Sequence, residues 1–298
     1  MSIRFAIMTA ASLALVAGPA LAARDITKRA TVAADAAIDV SNVQGRVDVT
    51  AWDRNEVELT ARLEGDKDEL EFEATEQQVR IEIDRPESRY HNKGDDAILT
   101  LKIPKGARLN VDTVSANITV AGVLGRQRLE SVSGEVRTQA YDQPVSLHAV
   151  SGDMFLTGTG GKAGASTESV SGSTTVTGIR GSYEGEAVSG NISATIAAAE
   201  RVSADSVSGD IEIQAELAAA ARVEMESISG TVSLVMKPPV NAEFDLESFS
   251  GDIENCFGKQ ARDTSKYTSG SELSFTQGSG SARVEIQTLS GDISICDR

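Results

Sequence analysis

A six-residue pattern that recurs along most of the chain constrains its fold more than any other feature. The clearest copy is Ser206-Val-Ser-Gly-Asp-Ile211, and from Gly134 to Gly251 its glycine returns every 18 to 21 residues. A short fixed period is typical of a solenoid, in which each repeat buries its apolar face only against its neighbours. The pattern therefore predicts an all-β fold, a single-stranded β-solenoid (β-helix) of about 18–21 residues per rung. The alternative, a β-propeller, needs about 40–45 residues per blade.

Each copy is predicted to form a corner between two strands of one rung. Apolar residues alternate on both sides of the corner, and Val145, Leu147, Val150, Met154 and Leu156 are expected to point inward. Glycine at the bend tolerates backbone angles that a Cβ would forbid, and the residue three positions before it is always small, as close backbone packing requires. The predicted corners are Gly134, Gly152, Gly172, Gly190, Gly209, Gly230, Gly251 and Gly291.

The chain divides into three parts by pattern. Residues 1–22 resemble a signal peptide, with Arg4, an apolar stretch at 5–17 that is too short to span a bilayer, and an A-x-A cleavage site ending at Ala22. Residues 23–110 carry alternating strands without the repeat, and we expect a β-rich lead-in that caps the first rung. Residues 111–298 form the predicted array, with an excursion near 258–280. After cleavage we expect no membrane insertion.

The two cysteines, Cys256 and Cys296, each lie five residues after a repeat glycine and so share one phase of the repeat. If their rungs stack directly, the strands are about 4.8 Å apart and a disulfide can form. If another rung lies between them, the separation is about 9.6 Å and no disulfide is possible. An exported chain allows the bond, so we predict the disulfide, with 258–280 leaving the stack and returning.

The acidic composition restricts the possible partners. A net charge of −16 and a pI near 4.6 argue against nucleic acid and against anionic lipid headgroups. The acidic residues are expected on solvated outer faces, where they protect strand edges from aggregation.

No residues combine into a convincing catalytic or metal site. His148, Ser151 and Asp153 contain the residue types of a hydrolase triad, but serine and aspartate recur at these phases in rungs without histidine. With His91 as the only other histidine, a multi-histidine zinc site is excluded. The acidic or polar residue after each glycine could form a calcium-binding row, although hydrogen bonding to local backbone is the expected role. We predict no catalytic residue, metal or cofactor.

The chain resembles a bacterial family of exported β-strand-repeat proteins described as putative adhesins, a domain of unknown function. The resemblance rests on 42–49 with Trp52, on 101–106, on the repeated Val-Ser-Gly-Asp-Ile units and on the closing 278–295. It implies a β-solenoid with a role in the cell envelope and supplies no catalytic residues.

These observations favour an exported, non-enzymatic cell-envelope protein that binds or scaffolds an unknown envelope protein or glycan. We expect it in the periplasm, in the secreted fraction or on the cell surface. A polysaccharide-active β-helix enzyme and a component of envelope-stress signalling are the alternatives. The handedness of the coil, the number of sides per rung and the oligomeric state remain open.

Overall fold

The computed structural model describes residues 23–64, 68–84, 96–162, 164–263 and 270–298 as an all-β protein. These residues form 22 strands and no helix. The predicted signal peptide, and His91, lie outside them. The first seven strands are β1 (Arg24–Thr31), β2 (Ala37–Trp52), β3 (Glu56–Leu63), β4 (Glu69–Ala74), β5 (Gln78–Asp84), β6 (Ala97–Pro104) and β7 (Arg108–Ala121). The next eight are β8 (Gln127–Ser131), β9 (Val136–Ala140), β10 (Val145–Ala149), β11 (Met154–Gly158), β12 (Ala165–Ser169), β13 (Thr174–Ala187), β14 (Ile192–Ser208) and β15 (Ile211–Ser229). The last seven are β16 (Val232–Met236), β17 (Ala242–Ser248), β18 (Ile253–Asn255), β19 (Arg262–Asp263), β20 (Ser271–Gln277), β21 (Ala282–Ser290) and β22 (Ile293–Asp297).

Successive repeats stack in parallel register on both sides of the corner. Before the corner, Val145 pairs with Gln127 on one side and with Ala165 on the other. After the corner, Met154 pairs with Val136 and Thr174 in the same way. The protein is therefore solenoid-like, with each repeat hydrogen-bonded only to its neighbours in the stack.

The core lies between the two parallel sheets that these strands build. Inward side chains such as Leu147, Leu156, Val223 and Leu234 are fully or almost fully buried. Outward positions on the same strands are polar or charged in most rungs. This alternation is what period two predicts for strands with one buried face.

Several strands continue unbroken around the corner, so the two sheets are not separate. β13 pairs with β12 through its second half and with β11 through its first half, while β7 pairs with both β8 and β9. The pairings β7–β8–β10–β12–β13–β11–β9 consequently close into a ring of seven parallel strands. The sequence pattern predicted two separate strands, one on either side of each corner, and did not predict these longer continuous strands.

The N-terminal strands cover the first rung with antiparallel pairs. β2 pairs in parallel with β7 along both sides of the corner and so forms the first rung of the stack. β3 pairs antiparallel with β1 and β6, and β4 pairs antiparallel with β5, which places these strands beyond β2 on the two sheets. A solenoid end needs such a covering, because an open parallel edge invites pairing with another chain.

At the other end, the last rung of the chain is not the last rung of the stack. β21 pairs with β15 on one side and β17 on the other, and β22 lies in the same way between β16 and β18. The C-terminal strands therefore occupy a space left between two earlier rungs. Nothing in the local repeat pattern specifies this order.

The segment between β18 and β21 closes the C-terminal end. β20 pairs antiparallel with the exposed side of β17, and β19 pairs antiparallel with β20. Three phenylalanines pack together here, and the rings of Phe244 and Phe275 stack at 4.6 Å between centroids with Phe257 tilted against both. Residues 264–269, within the predicted excursion, lie outside the described residues.

The out-of-order rung brings the two cysteines together. Cys256 and Cys296 form a disulfide with their Cα atoms 4.9 Å apart, across a sequence separation of 40. This is about the spacing of directly paired strands, as the matching repeat phase predicted. The bond ties the inserted C-terminal rung to the rung outside it.

We expect Cys296→Ser to lower the free energy of unfolding by about 2–4 kcal/mol, because a disulfide closing a loop of this length restricts the unfolded chain. Urea denaturation followed by circular dichroism measures the change. Reductant should destabilise the unmodified protein to the same extent and leave Cys296→Ser unaffected. Equal midpoints for the two proteins without reductant would contradict the assignment of the bond.

Candidate functional site

The predicted corner glycines lie in a file in which each backbone packs on the next. A Cβ at Gly209 would overlap the carbonyl oxygen of Gly190, and a Cβ at Gly230 would overlap that of Gly209. The same holds for Gly291 against Gly230 and for Gly251 against Gly291, which repeats the unusual rung order. The corners from Gly134 to Gly190 pack in the same manner. The glycines are thus needed for close approach of stacked backbones.

Gly209→Ala should destabilise the protein by about 1–3 kcal/mol, because the neighbouring backbone cannot move away without disturbing several rungs. Gly164→Ala is the control, since a Cβ there meets no atom within 4 Å. Thermal melting of both variants by circular dichroism tests the assignment. If the two alanine variants melted together, the close-packing role would be refuted.

In two of the described rungs, the small residue three positions before the corner glycine is a serine that bonds to the glycine amide. The Ser131 hydroxyl accepts a hydrogen bond from the Gly134 amide at 2.7 Å, and the Ser169 hydroxyl accepts one from the Gly172 amide at 2.9 Å. Further along the stack the buried hydroxyls of Ser206, Ser227 and Thr288 have no hydrogen-bond partner. Size rather than hydrogen bonding is therefore the requirement common to this position.

In most rungs the aspartate or asparagine after the corner accepts a hydrogen bond from the backbone of the adjacent rung, whereas Glu135 pairs with Arg137. The Ser173 amide donates to Asp153 Oδ1 at 2.9 Å, and the Thr231 amide donates to Asp210 Oδ1 at 2.9 Å. Asn117, Asn191 and Asp292 accept equivalent bonds. Across the described residues no group of three histidine, cysteine or acidic side chains is placed to hold a metal ion. These side chains link neighbouring rungs.

His148, Ser151 and Asp153 do not assemble into a hydrolase triad. The His148 ring contacts the Ser146 hydroxyl at 3.0 Å and a Glu168 oxygen at 2.8 Å. Asp153 accepts its bond from the backbone of the next rung instead of orienting the histidine.

The apolar residue between the two small residues of the corner points outward in every rung. Val150 is 44% exposed, so its expected inward orientation is wrong. The period of two already contains the reason: Leu147 and Ala149 are buried, and the next residue must face the opposite side. We name this row the apolar file. In stack order it contains Val114, Val132, Val150, Val170, Val188, Val207, Ile228, Leu289 and Phe249, each between 43% and 61% exposed.

Carboxylates border the apolar file on one side and form a groove with it. The groove runs from Val170 to Phe249 and encloses about 590 Å³. Glu186, Asp205, Glu226 and Glu247 line it, and among the described residues none of the four forms an ion pair with a basic side chain. We call these four residues the acidic row.

The acidic row is electrostatically unfavourable in the isolated protein. Partial burial raises the pKa of Asp205, and the neighbouring carboxylates of Glu226 and Glu186 raise it further. Folding brings the Asp205 carboxylate close to like charges, which makes its ionised form less favourable in the folded state than in the unfolded state. This cost disappears as the pH falls below the raised pKa towards the ordinary value of about 3.9.

Asp205→Asn should therefore stabilise the protein at pH 7 by about 0.5 kcal/mol, a value discounted for solvent screening. The gain should vanish near pH 2.5, more than one unit below the ordinary pKa of about 3.9, where the carboxyl group is protonated in both states. Melting temperatures at the two pH values and low salt provide the measurement. Asp25→Asn, in the N-terminal strand β1, is the control. A loss of stability at pH 7 would show that Asp205 has a favourable partner.

The fold and the repeated corners define the class of the protein: an all-β, solenoid-like repeat protein whose exposed surfaces are rows of side chains. The chain belongs to the Toastrack DUF4097 family, whose model matches residues 36–296. No curated protein matches the chain. Within the residues that the structure describes, no helix is long and apolar enough to cross a membrane.

Three solved structures are similar to this chain at low sequence identity. A putative adhesin from Parabacteroides distasonis has 12% identity and a TM-score of 0.44, with 92% of this chain and 97% of the other covered. A putative adhesin from Bacteroides fragilis has 14% identity and a TM-score of 0.37, with 92% and 97% covered. A putative cell adhesion protein from Clostridium sporogenes has 10% identity and a TM-score of 0.23, with 93% and 100% covered.

Proposed function

We propose that this protein is an exported, non-enzymatic β-solenoid of the cell envelope, with rungs of about 18–21 residues, that binds a partner protein in the manner of an adhesin or scaffold. The apolar file is the observation that supports this proposal. Residues 1–22 have the pattern of a signal peptide, and the Cys256–Cys296 disulfide suits an oxidising compartment outside the cytoplasm.

The apolar file has no structural role that would explain its exposure. The core is already filled by inward residues on either side of the corner, and threonine, a polar residue that strands favour, could stand at the file positions. A continuous row of nine exposed apolar side chains is also unlike the scattered apolar residues of ordinary protein surfaces. A binding surface accounts for both features.

The acidic row indicates the charge of the partner. Four unpaired carboxylates beside the apolar file would be stabilised by Lys or Arg side chains and would repel anionic lipid headgroups. The partner surface should therefore combine apolar residues with basic residues along one edge.

The spacing of the apolar file favours a helical partner segment. Neighbouring residues of the file are about 4.8 Å apart, close to the 5.4 Å pitch of an α-helix. Alternate side chains of an extended strand are about 6.7 Å apart and lose register after one or two rungs. The six rungs of the groove span about 24 Å, the length of a helix of about 16 residues. We commit to a cationic amphipathic helix of an envelope protein as the occupant.

A polysaccharide-active enzyme is the weaker alternative. Hydrolysis by the usual mechanism needs one pair of carboxyl groups with different environments. The carboxylates here are repeated from rung to rung, and the raised pKa of Asp205 comes from burial and from its like-charged neighbours. A row of equivalent groups is suited to binding along its length.

A triple variant of the file, Val188→Ser, Val207→Ser and Ile228→Ser, tests the proposal with an 18-residue Leu/Lys amphipathic peptide as the probe. Each substitution removes roughly 1 kcal/mol of apolar contact, so we expect a loss of affinity of more than about tenfold in calorimetry. Val235→Ser is the matched control, because Val235 is an outward valine after the corner rather than at it.

The charge requirement is tested with a Leu/Glu peptide of the same length. It should bind the unmodified protein at least about tenfold more weakly than the Leu/Lys peptide, and added salt should weaken the Leu/Lys complex. Equal binding of the two peptides, or full binding by the triple variant, would overturn the assignment of the apolar file.

A further inference from the structure

A second groove lies on the strands before the corner, at the edge remote from the apolar file. It encloses about 630 Å³, and four arginines line it: Arg126, Arg128, Arg201 and Arg222. Such a concentration of guanidinium groups is unexpected in a chain with a net charge of −16. We name this surface the arginine groove.

The arginines are held in two groups by the register of the rungs. Arg201 is directly paired with Arg222, and Arg222 is directly paired with Arg283 in the following rung. Like charges directly opposite each other on neighbouring strands destabilise a sheet. At the other end of the groove, Arg126 and Arg128 lie on either side of Gln127, the first residue of β8. The structure thus places stacked cations where folding alone disfavours them.

Three of these guanidinium groups have no carboxylate partner. Among the described residues, Arg126, Arg201 and Arg222 form no ion pair, although all three are exposed. Arg128 pairs with Glu130, and Arg283 pairs with Glu285 at 3.7 Å. The N–H donors of these three unpaired guanidinium groups are therefore available to bind an external anion.

Between the two groups of arginines the groove is polar and lined with small residues. One row of paired positions consists of Ser146, Ser166, Glu184 and Ser203 in that order. The Ser166 hydroxyl donates to the Ser146 hydroxyl at 3.0 Å. Pro144 and Gly164 occupy the rung position that Arg126 and Arg201 occupy in other rungs. Because neither residue has a long side chain, the middle of the groove is open. The lining offers hydroxyl groups as both donors and acceptors.

We propose that the arginine groove binds a linear acidic oligosaccharide, with carboxylate groups held by the arginines at both ends and sugar hydroxyls bonded by the serines between them. Arg126 and Arg201 are four rungs apart, so the two anion sites are separated by about 19 Å. A single acidic sugar cannot occupy both sites, whereas an extended oligomer can.

The same lining disfavours other polyanions. Glu184 and Glu224 lie in the groove and would repel a chain with a charge on every unit, such as polyphosphate or nucleic acid. Single-stranded nucleic acid also needs exposed aromatic rings for stacking, and Tyr183, the one aromatic residue among the described residues that line this groove, is fully buried. The carboxylates can instead accept hydrogen bonds from the hydroxyls of a sugar, and the serine hydroxyls can both accept and donate them.

The test is calorimetric titration of the full mature chain at low salt with a hyaluronan hexamer, in which glucuronate units alternate with neutral N-acetylglucosamine units. We expect binding that weakens as salt is added, and at least about tenfold weaker binding of monomeric glucuronate. Maltohexaose, a neutral hexamer, should not bind detectably. Failure of the hyaluronan hexamer to bind, equal binding of the neutral hexamer or monomer, or equal binding of a polyphosphate of similar length would each overturn the proposal.

Variants locate the site. Arg126→Ala and Arg222→Ala lie at opposite ends and should each weaken binding of the hexamer by about tenfold, as expected for loss of a charge-assisted hydrogen-bonded pair. Arg62→Ala, in the N-terminal strand β3, removes an exposed arginine elsewhere and should leave affinity unchanged. Melting temperatures establish that each variant is folded. If Arg62→Ala weakened binding as much as the two groove variants, the effect would be one of net charge and the site would be wrong.

The arginine groove is independent of the apolar file. The triple variant of Val188, Val207 and Ile228 should bind the hexamer with unchanged affinity, because these residues do not line the arginine groove. Loss of hexamer binding in the triple variant would contradict the assignment of two separate surfaces.

Discussion

The close stacking of backbone on backbone at each corner is the constraint on which the rest of this structure depends. A Cβ at Gly209 or Gly230 would occupy the position of the preceding glycine's carbonyl oxygen, so the rungs can approach only where a side chain is absent. Because the rungs lie this close at the corner, the strands before and after it pair in parallel with those of the neighbouring rung, from β2 onward. Stability is then the sum of many similar interfaces, and damage to one corner affects its neighbours.

Register turns each position of the repeat into a row of side chains, and each row has one physical role. The inward rows form the core, the small row before the glycine permits close packing, and the aspartate and asparagine row bonds to the amide of the next rung, as at Asp153 and Asp210. Rows that face solvent repeat their charge or their apolar character every rung. A long exposed surface of one character therefore arises from one position of the repeat, as in the apolar file and the acidic row.

The two ends of the stack require different solutions, because a repeat has no natural end. At the first rung, β5 and β6 pair in parallel with β2, and the antiparallel strands β4 and β3 then cover β5 and β6. At the other end, the last part of the chain first covers β17 with β20 and then inserts β21 and β22 between earlier rungs. The disulfide between Cys256 and Cys296 fixes that insertion. An inserted rung is hydrogen-bonded on both edges, so the C-terminus of the chain presents no free strand of its own.

The sequence by itself determined the all-β class, the solenoid-like stacking, the phase of the corners and the matched phase of the two cysteines, because these depend on period and on local side-chain size. Its pattern also contained the outward orientation of Val150, which alternation from Leu147 specifies. Only the tertiary structure decided the order of the last rungs, since pairing across 40 residues or more depends on which edge is free when the chain returns. The convergence of Arg126 with Arg201 was equally beyond the sequence, because two residues so distant along the chain share a groove only through the cumulative stacking of the rungs between them.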